Sequence, residues 1–392
     1  MKIKKKVWAI LGVTALVLTT TAFTAVKKAA FPKPSGPHSV GTLQVELRDD
    51  SRAGRKLLVQ FYYPAQAEPG AISPYTTHPE QMEENLNALY GVPRPLLRKI
   101  TRATVPVQLN AEPAAGRQFP LLVFSHGYNG ARSQNSFLLP ELASQGYVIA
   151  SIEHTGASSG AVFQDGSRGG ITPFDSLMSN EAFSNREIEK WTLDQSFVLD
   201  QIETLSRSGA LSFGHLLDLE RVGAFGHSFG GATSAATLTR DARFRAGINL
   251  DGFYFGDYYK TGFSQPFLEL RADNKRPEEM TDQELKEWKF TREQYRDFLF
   301  DEWGRRIGSY ARKGYESYTI RYANHMSFSD FSLMMPFAFL TAPHRREHHR
   351  ITIHFVLDFF NRNLKGAASA ELPEGLDSYI RNQAINKGRK AS

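Results

Sequence analysis

One strand–turn–helix stretch limits what this chain can fold into more than anything else in it. RVGAF (221–225) reads as a buried strand and ATSAATLTR (232–240) as a small-residue helix, with Gly226-His227-Ser228-Phe229-Gly230-Gly231 joining them. A strand that passes directly into a helix belongs to a mostly parallel sheet with helices on its faces. A serine on so tight a turn is strained, and side chains two residues to either side would collide with it, which glycine avoids. The turn also aims the Phe229 N–H and the positive helix end at any negative charge forming beside the hydroxyl. The plain alternative is a tight loop with an ordinary serine, and the strand before and helix after speak against it.

The rest of the chain repeats that alternation. Strands are expected at 42–47, 56–64, 120–126, 147–154, 221–228, 246–252, 266–273 and 317–324, each an apolar run bounded by turn residues. Between them, 184–206 carries apolar residues at helical spacing, and 351–366 makes a closing helix that Gly366 stops. Eight strands with interposed helices describe one α/β catalytic domain over 42–366, without internal repeats. Residues 274–316 break the pattern before the last expected strand. T-x-x-E at Thr281–Glu284 and T-x-x-Q at Thr291–Gln294 mark two helix starts there, a helical insertion that would act as a lid or as surface decoration.

Charge and the leader are read together. Six of the 47 basic residues lie within 1–28, where no acidic residue occurs, and the remaining basic residues match the 41 acidic ones. The basic balance therefore belongs to the leader, which leaves nucleic-acid binding without support. After MKIKKK, Val7–Val26 is uncharged, with Val7–Leu18 its densest apolar part and Thr20-Thr21-Ala22 a small-residue cleavage site. Residues 1–28 read as a signal peptide or an N-terminal membrane anchor, since twenty such residues would just span ~30 Å of hydrocarbon. Either way the expectation is export, with membrane association through 7–26 if the segment stays attached. Residues 29–41 follow as a Pro/Gly linker, and 367–392 form a C-terminal tail. There is no cysteine, hence no disulfide, thiolate metal site or cysteine nucleophile.

A serine hydroxyl is a poor nucleophile until a histidine, itself oriented by a carboxylate, takes its proton. In folds with this turn the chain order is serine, acid, histidine. Of the histidines after Ser228, His325 alone follows directly on an expected strand; His354 lies within the closing helix. His344 and His348 would share a helical face as metal ligands but lack a third partner, so a solvated basic turn is the simpler reading. His126 and His154 precede the serine. Two carboxylates compete as the acid, because Asp251 and Asp273 each end an expected strand after the serine, and spacing does not separate them.

These residues together resemble the plasma-type (isoform II) platelet-activating-factor acetylhydrolases, a branch of the α/β-hydrolase superfamily. The similarity runs over roughly 40–365 through LLVQFYYPAQ, FPLLVFSHGYNGARSQNSFLLPELASQGYVIASIEH, GHSFGG, LDGF and HMSFSDF. It implies an α/β-hydrolase fold and assigns the acid to Asp251. It also implies an oxyanion hole made by the N–H groups of Tyr128 and Phe229. The ending FFNRNLKG is in turn similar to dienelactone- and polyester-hydrolase relatives, in which the acid sits at the position of Asp273. The expected reaction is hydrolysis of a small-molecule or lipid ester, short-chain or phospholipid-type, through an acyl-enzyme, with no metal or organic cofactor. A general carboxylesterase or polyester hydrolase is the runner-up, and a non-catalytic binding protein on the same scaffold the remote alternative. Phe253, Tyr254, Phe255, Tyr258 and Tyr259, beside the acid, would either face an apolar acyl group or be ordinary core and rim residues. Asp330 would fix the histidine loop or cap the helix that follows it. Oligomeric state is not readable.

Overall fold

The computed structural model describes residues 30–382 except 68–69, 175–176, 178–179, 288–289, 310–314 and 335–343. The leader lies outside these residues. All eight expected strands form, and three more extend the sheet to eleven. They are β1 (Ser39–Asp49), β2 (Arg55–Ala65), β3 (Ile72–Pro74), β4 (Thr104–Leu109), β5 (Phe119–Ser125), β6 (Val148–Glu153), β7 (Leu217–His227), β8 (Phe244–Leu250), β9 (Phe267–Ala272), β10 (Tyr315–Ile320) and β11 (Ile380–Asn382). Their spatial order is β11-β10-β9-β8-β7-β5-β6-β2-β1-β4-β3. From β6 to β10 every pairing is parallel, so the strands' carboxyl ends share one edge.

The additions sit at the margins. β3 and β4 lie within 65–117, and β11 pairs antiparallel with β10 from within the C-terminal tail, so β10 is not the last strand. β3 and β11 have three residues each, too few for a two-residue period to declare itself. β4 carries Pro106, which breaks the apolar run on which a strand is recognised. At the other end, Phe31 is buried and stacks on Tyr75, so the Pro/Gly segment before β1 is packed down.

Alternation along the central strands feeds two cores. Leu122 and Phe124 of β5 face one side, against Phe359 and Phe360 of the helix Arg345–Lys365. Leu121 and Val123 face the other, against Val198 and Ile202 of the helix Glu181–Arg207 and Ala232 and Ala235 of the helix Phe229–Arg240. The insertion forms the helices Asp282–Glu287 and Arg292–Ser309, and both capping boxes are made. The Thr281 and Thr291 amides donate to Glu284 and Gln294, whose own amides donate back to the threonine hydroxyls. A small core of Met280, Leu285 and Tyr295 serves the insertion alone. A buried ion pair between Arg306 and Glu269 of β9 ties it to the sheet. Among the described residues no helix is long and apolar enough to cross a membrane.

Strand order places the site. The chain passes from β5 to β6 on one side and then returns to β7 on the other, so direction reverses between β5 and β7. Crevices outside the carboxyl ends at such a reversal are where α/β sheets bind ligands. The turns after β5 and β7 carry Tyr128 and Ser228.

Candidate active site

Ser228 takes φ 56° and ψ −125°, a strained conformation for a residue with a side chain. Its surroundings account for the glycines. A Cβ at Gly230 would stand 2.0 Å from the Ser125 carbonyl oxygen, and one at Gly226 would stand 2.4 Å from the Gly230 carbonyl carbon. The turn is held from β8 as well, where the Ser228 amide donates to the Leu250 carbonyl at 2.9 Å. Asp251 follows β8 at φ 56°, and Asn249 pins this second turn by bonding both the amide and carbonyl of Gly252. Gly252 is required because a Cβ there would stand 2.1 Å from the Ser228 carbonyl oxygen.

Three side chains from three loops meet at this edge. Ser228 Oγ–H donates to His325 Nε2 at 2.9 Å, and His325 Nδ1–H donates to Asp251 Oδ2 at 2.8 Å. Asp251 Oδ1 accepts the Ala272 amide at 2.7 Å. Burial pushes the Asp251 carboxyl up, but the bond and charge of His325, with the Ala272 amide, bring it below the ordinary carboxylate range. Ser228 and His325 are partly exposed while Asp251 is buried, an order that opens the hydroxyl to a ligand and shields the acid. Asp273 is elsewhere: Arg381 lies 3.4 Å from its Oδ1, and its Oδ2 accepts the Tyr322 amide.

Tyr128 and Phe229 are adjacent, their rings edge to face with centroids 5.3 Å apart. Among the described residues neither backbone amide donates to a protein group. The loop bearing Tyr128 is fixed by the Gln134 side chain, which accepts the Gly127 amide at 2.8 Å, and by the Asn129 amide, which donates to the Ala157 carbonyl at 2.9 Å. It approaches the serine so closely that a Cβ on Gly127 would stand 3.2 Å from Ser228 Cβ.

Three residues that support the site carry no motif with an obvious role. Gln134 donates from Nε2 to His227 Nδ1 at 2.7 Å, so His227 Nε2–H is left to donate to the His325 carbonyl at 2.9 Å. Burial, with the neighbouring charge of His325, lowers the His227 imidazole to about 3, so it stays neutral and keeps this bonding pattern. Asn249 is the third. His227 stands inside the glycine turn, which was its only signal.

Asp330 fixes the histidine loop rather than capping its own helix. It is fully buried, and its carboxyl accepts the Ser136 amide at 2.7 Å and the Phe137 amide at 3.2 Å. Burial raises this carboxyl well above its usual range. Asp330→Ala leaves two buried amides unpaired and is expected to cost about 1–3 kcal/mol of unfolding free energy in urea titrations. A variant as stable as wild type would show that water satisfies them.

One other expectation is corrected, and for the aromatic residues beside the acid the structure takes the core-and-rim alternative. His348 is buried rather than solvated, donating from Nε2 to the Arg321 carbonyl at 3.1 Å, and His344 Nδ1 bonds the Tyr379 hydroxyl at 2.9 Å. The basic run therefore lies inside the helix Arg345–Lys365, which starts earlier than the apolar period suggests. Of the aromatic residues after Asp251, Tyr254, Phe255 and Tyr258 are buried in the core. Phe253 is half-buried against Phe298 of the insertion, ring centroids 5.0 Å apart. The Tyr259 side chain is outside the described part.

Fold and site together define an α/β hydrolase that carries a serine–histidine–aspartate chain at the carboxyl edge of its sheet. A ferulic acid esterase from Streptomyces cinnamoneus shares this fold, with a TM-score of 0.65 over 92% of this chain and all of that one, at 23% identity. The family model for platelet-activating factor acetylhydrolase, isoform II, matches residues 23–173 and 205–364, and the chain belongs to that family. Among curated relatives, a platelet-activating factor acetylhydrolase of Cavia porcellus is 29% identical over 69% of this chain. A probable 1-alkyl-2-acetylglycerophosphocholine esterase of Arthroderma benhamiae is 27% identical over 66% of this chain and 70% of its own length. The match spans 66% of the Cavia porcellus protein, just under two thirds.

Proposed function

We propose that this protein is a serine carboxylic-ester hydrolase that works through an acyl-enzyme on short-chain esters, including those of phospholipid-type alcohols. The observation that carries the reading is the unbroken chain from Ser228 Oγ through His325 to Asp251, at 2.9 and 2.8 Å. In it, Ser228 Oγ attacks the ester carbonyl while His325 Nε2 takes the proton and Asp251 stabilises the charged imidazole. The carbonyl oxygen, now negative, is met by the Tyr128 and Phe229 amides. His325 returns the proton to the departing alkoxide, and the alcohol leaves. Water then gives a proton to His325 and attacks the acyl-serine; the carboxylic acid departs as Ser228 recovers its proton. The short-acyl preference is supported by family membership and by the acetyl esters named for the relatives. The leader supports export, so the enzyme would meet its substrate outside the cytoplasm, secreted or tethered.

The test combines a fluorophosphonate probe with an ester series. Wild-type protein should label at Ser228, Ser228→Ala should not, and an acetyl ester should turn over at least about ten-fold faster than a palmitoyl ester. A 2-acetyl phospholipid should be hydrolysed along with the simple acetyl ester. An unlabelled wild type, or equal labelling of the variant, overturns the hydrolase reading. Equal rates along the series overturn the short-acyl preference.

A further inference from the structure

A second serine–histidine–aspartate chain lies beneath the first, buried throughout. Ser125, His154 and Asp194 are each 0% exposed. Gln195 Nε2 donates to Ser125 Oγ at 2.8 Å, Ser125 Oγ–H to His154 Nε2 at 2.9 Å, and His154 Nδ1–H to Asp194 Oδ2 at 2.8 Å. Asp194 then accepts from Arg52 at 2.7 Å and from Arg55 on both oxygens, at 2.7 and 2.6 Å. Burial pushes the Asp194 carboxyl up, but the bonds and charges of Arg55 and His154 outweigh it and keep the group ionised. Burial also holds His154 neutral, lowered to about 3, so its Nε2 keeps the lone pair that accepts from Ser125.

No substrate reaches a chain this deep, and interiors seldom gain stability from buried ion pairs over apolar packing. What such a chain does provide is direction. Ser125 ends β5 and His154 follows β6, the two strands whose turns embrace Tyr128. The His154 amide donates to His126 Nε2 at 3.1 Å, which forces the His126 proton onto Nδ1, and Nδ1–H donates to the Gly127 carbonyl at 2.7 Å. That carbonyl and the Tyr128 N–H belong to one planar trans peptide, so fixing the first fixes where the second points. Trp191 closes the arrangement. It stacks on His154 with ring centroids 3.8 Å apart and touches the rings of both Tyr128 and Phe229, at 6.0 and 5.0 Å.

We propose that Ser125, His154 and Asp194 form a non-reacting positioning chain that holds His126 and thereby aims the Tyr128 amide at the oxyanion. Trp191, Asp194 and Gln195 fall in 174–204, between the two segments that the family model matches. The inference rests on the esterase reading above, in which the Tyr128 amide receives negative charge.

Ser125→Ala removes one hydroxyl and should leave the fold intact; His154→Gln removes the ring. Both are compared with wild type in kcat and KM for an acetyl ester, in inhibition by a boronic acid, and in melting temperature. A misaimed amide weakens the transition state and not ground-state binding. The expectation is thus a fall in kcat of roughly ten-fold or more, with KM within about two-fold. The boronic acid, whose tetrahedral adduct places an oxygen in the same site, should weaken by the same factor as kcat/KM. The inference is overturned by a folded Ser125→Ala enzyme with kcat within two-fold of wild type, by a loss confined to KM, or by an unchanged boronic-acid constant beside a lowered kcat. Should His154→Gln fail to fold, Ser125→Ala alone decides. An inactive wild-type protein would instead overturn the esterase reading and this inference with it.

Discussion

Asp251→Asn should lower kcat for an acetyl ester by roughly four orders of magnitude, whereas Asp273→Asn should stay within about two-fold of wild type. The reason lies in how many donors the carboxylate serves. Asp251 Oδ1 accepts the Ala272 amide and Oδ2 accepts His325 Nδ1–H. Asparagine has one acceptor oxygen for two donors. The Ala272 amide belongs to a strand end and cannot turn away, so it claims the oxygen, and the new NH2 group faces His325 Nδ1. The ring can then only accept there, its proton moves to Nε2, and Nε2–H points at Ser228 Oγ where a lone pair is needed. Asp251→Asn should therefore fold normally and label slowly with a fluorophosphonate, a defect of tautomer rather than of structure. Among the described residues the Asp273 carboxylate serves the Tyr322 amide and Arg381. A near-wild-type Asp251→Asn enzyme beside a slow Asp273→Asn enzyme would transfer the orienting role and undo the proposed mechanism.

That choice shows where the sequence stops being legible. Asp251 and Asp273 each end a parallel strand on the same edge, so chain order admits both. What separates them is register across strands: Leu250 pairs with Leu270, and the Ala272 amide then falls on Asp251 and fixes its carboxylate toward His325. The strands themselves could be read because a buried parallel strand is a continuous apolar run, as in PLLVFS, whose residues are all buried. The serine turn could be read because glycine is required by backbone approaches within it. The buried chain below has no such trace. Ser125, His154 and Asp194 come from a strand end, a loop and a helix, and a histidine that ends a strand looks the same whether it packs or reacts. His348 misled for the opposite reason: amid five other charged or histidine neighbours in RREHHR, its burial depends on Arg321 and Tyr379, which arrive from the turn after β10 and from the tail.

Acid should unfold this protein well before its surface carboxylates are neutralised. His154 and His227 are both buried and lowered to about 3 by that burial, against an ordinary value near 6.5. The sign follows from proton counting: below about pH 6.5 the unfolded chain protonates both rings while the folded chain does not, so stability falls as pH falls through this window. Each ring contributes about 1.4 kcal/mol per pH unit within it, together about 3. A domain typically has only about 5–15 kcal/mol to lose. Asp330 opposes the trend, since its raised carboxyl binds a proton more readily in the folded state, but it is one group against several, because burial also lowers His349 to about 3 and lowers His126. Asp194 and Asp251, both lowered, add further loss once the pH drops below the ordinary carboxylate range near 4. Melting temperature should therefore be level above about pH 7 and fall steeply between about pH 6 and pH 4. In His154→Gln, which cannot take up the proton, the curve should start lower and descend less steeply than in wild type, with His227 and His349 still contributing. A melting temperature unchanged from neutral pH down to about pH 5 would mean that these rings titrate in the folded protein. His227 and His154 would then lack the fixed neutral tautomers on which both the His325 loop and the Tyr128 amide depend.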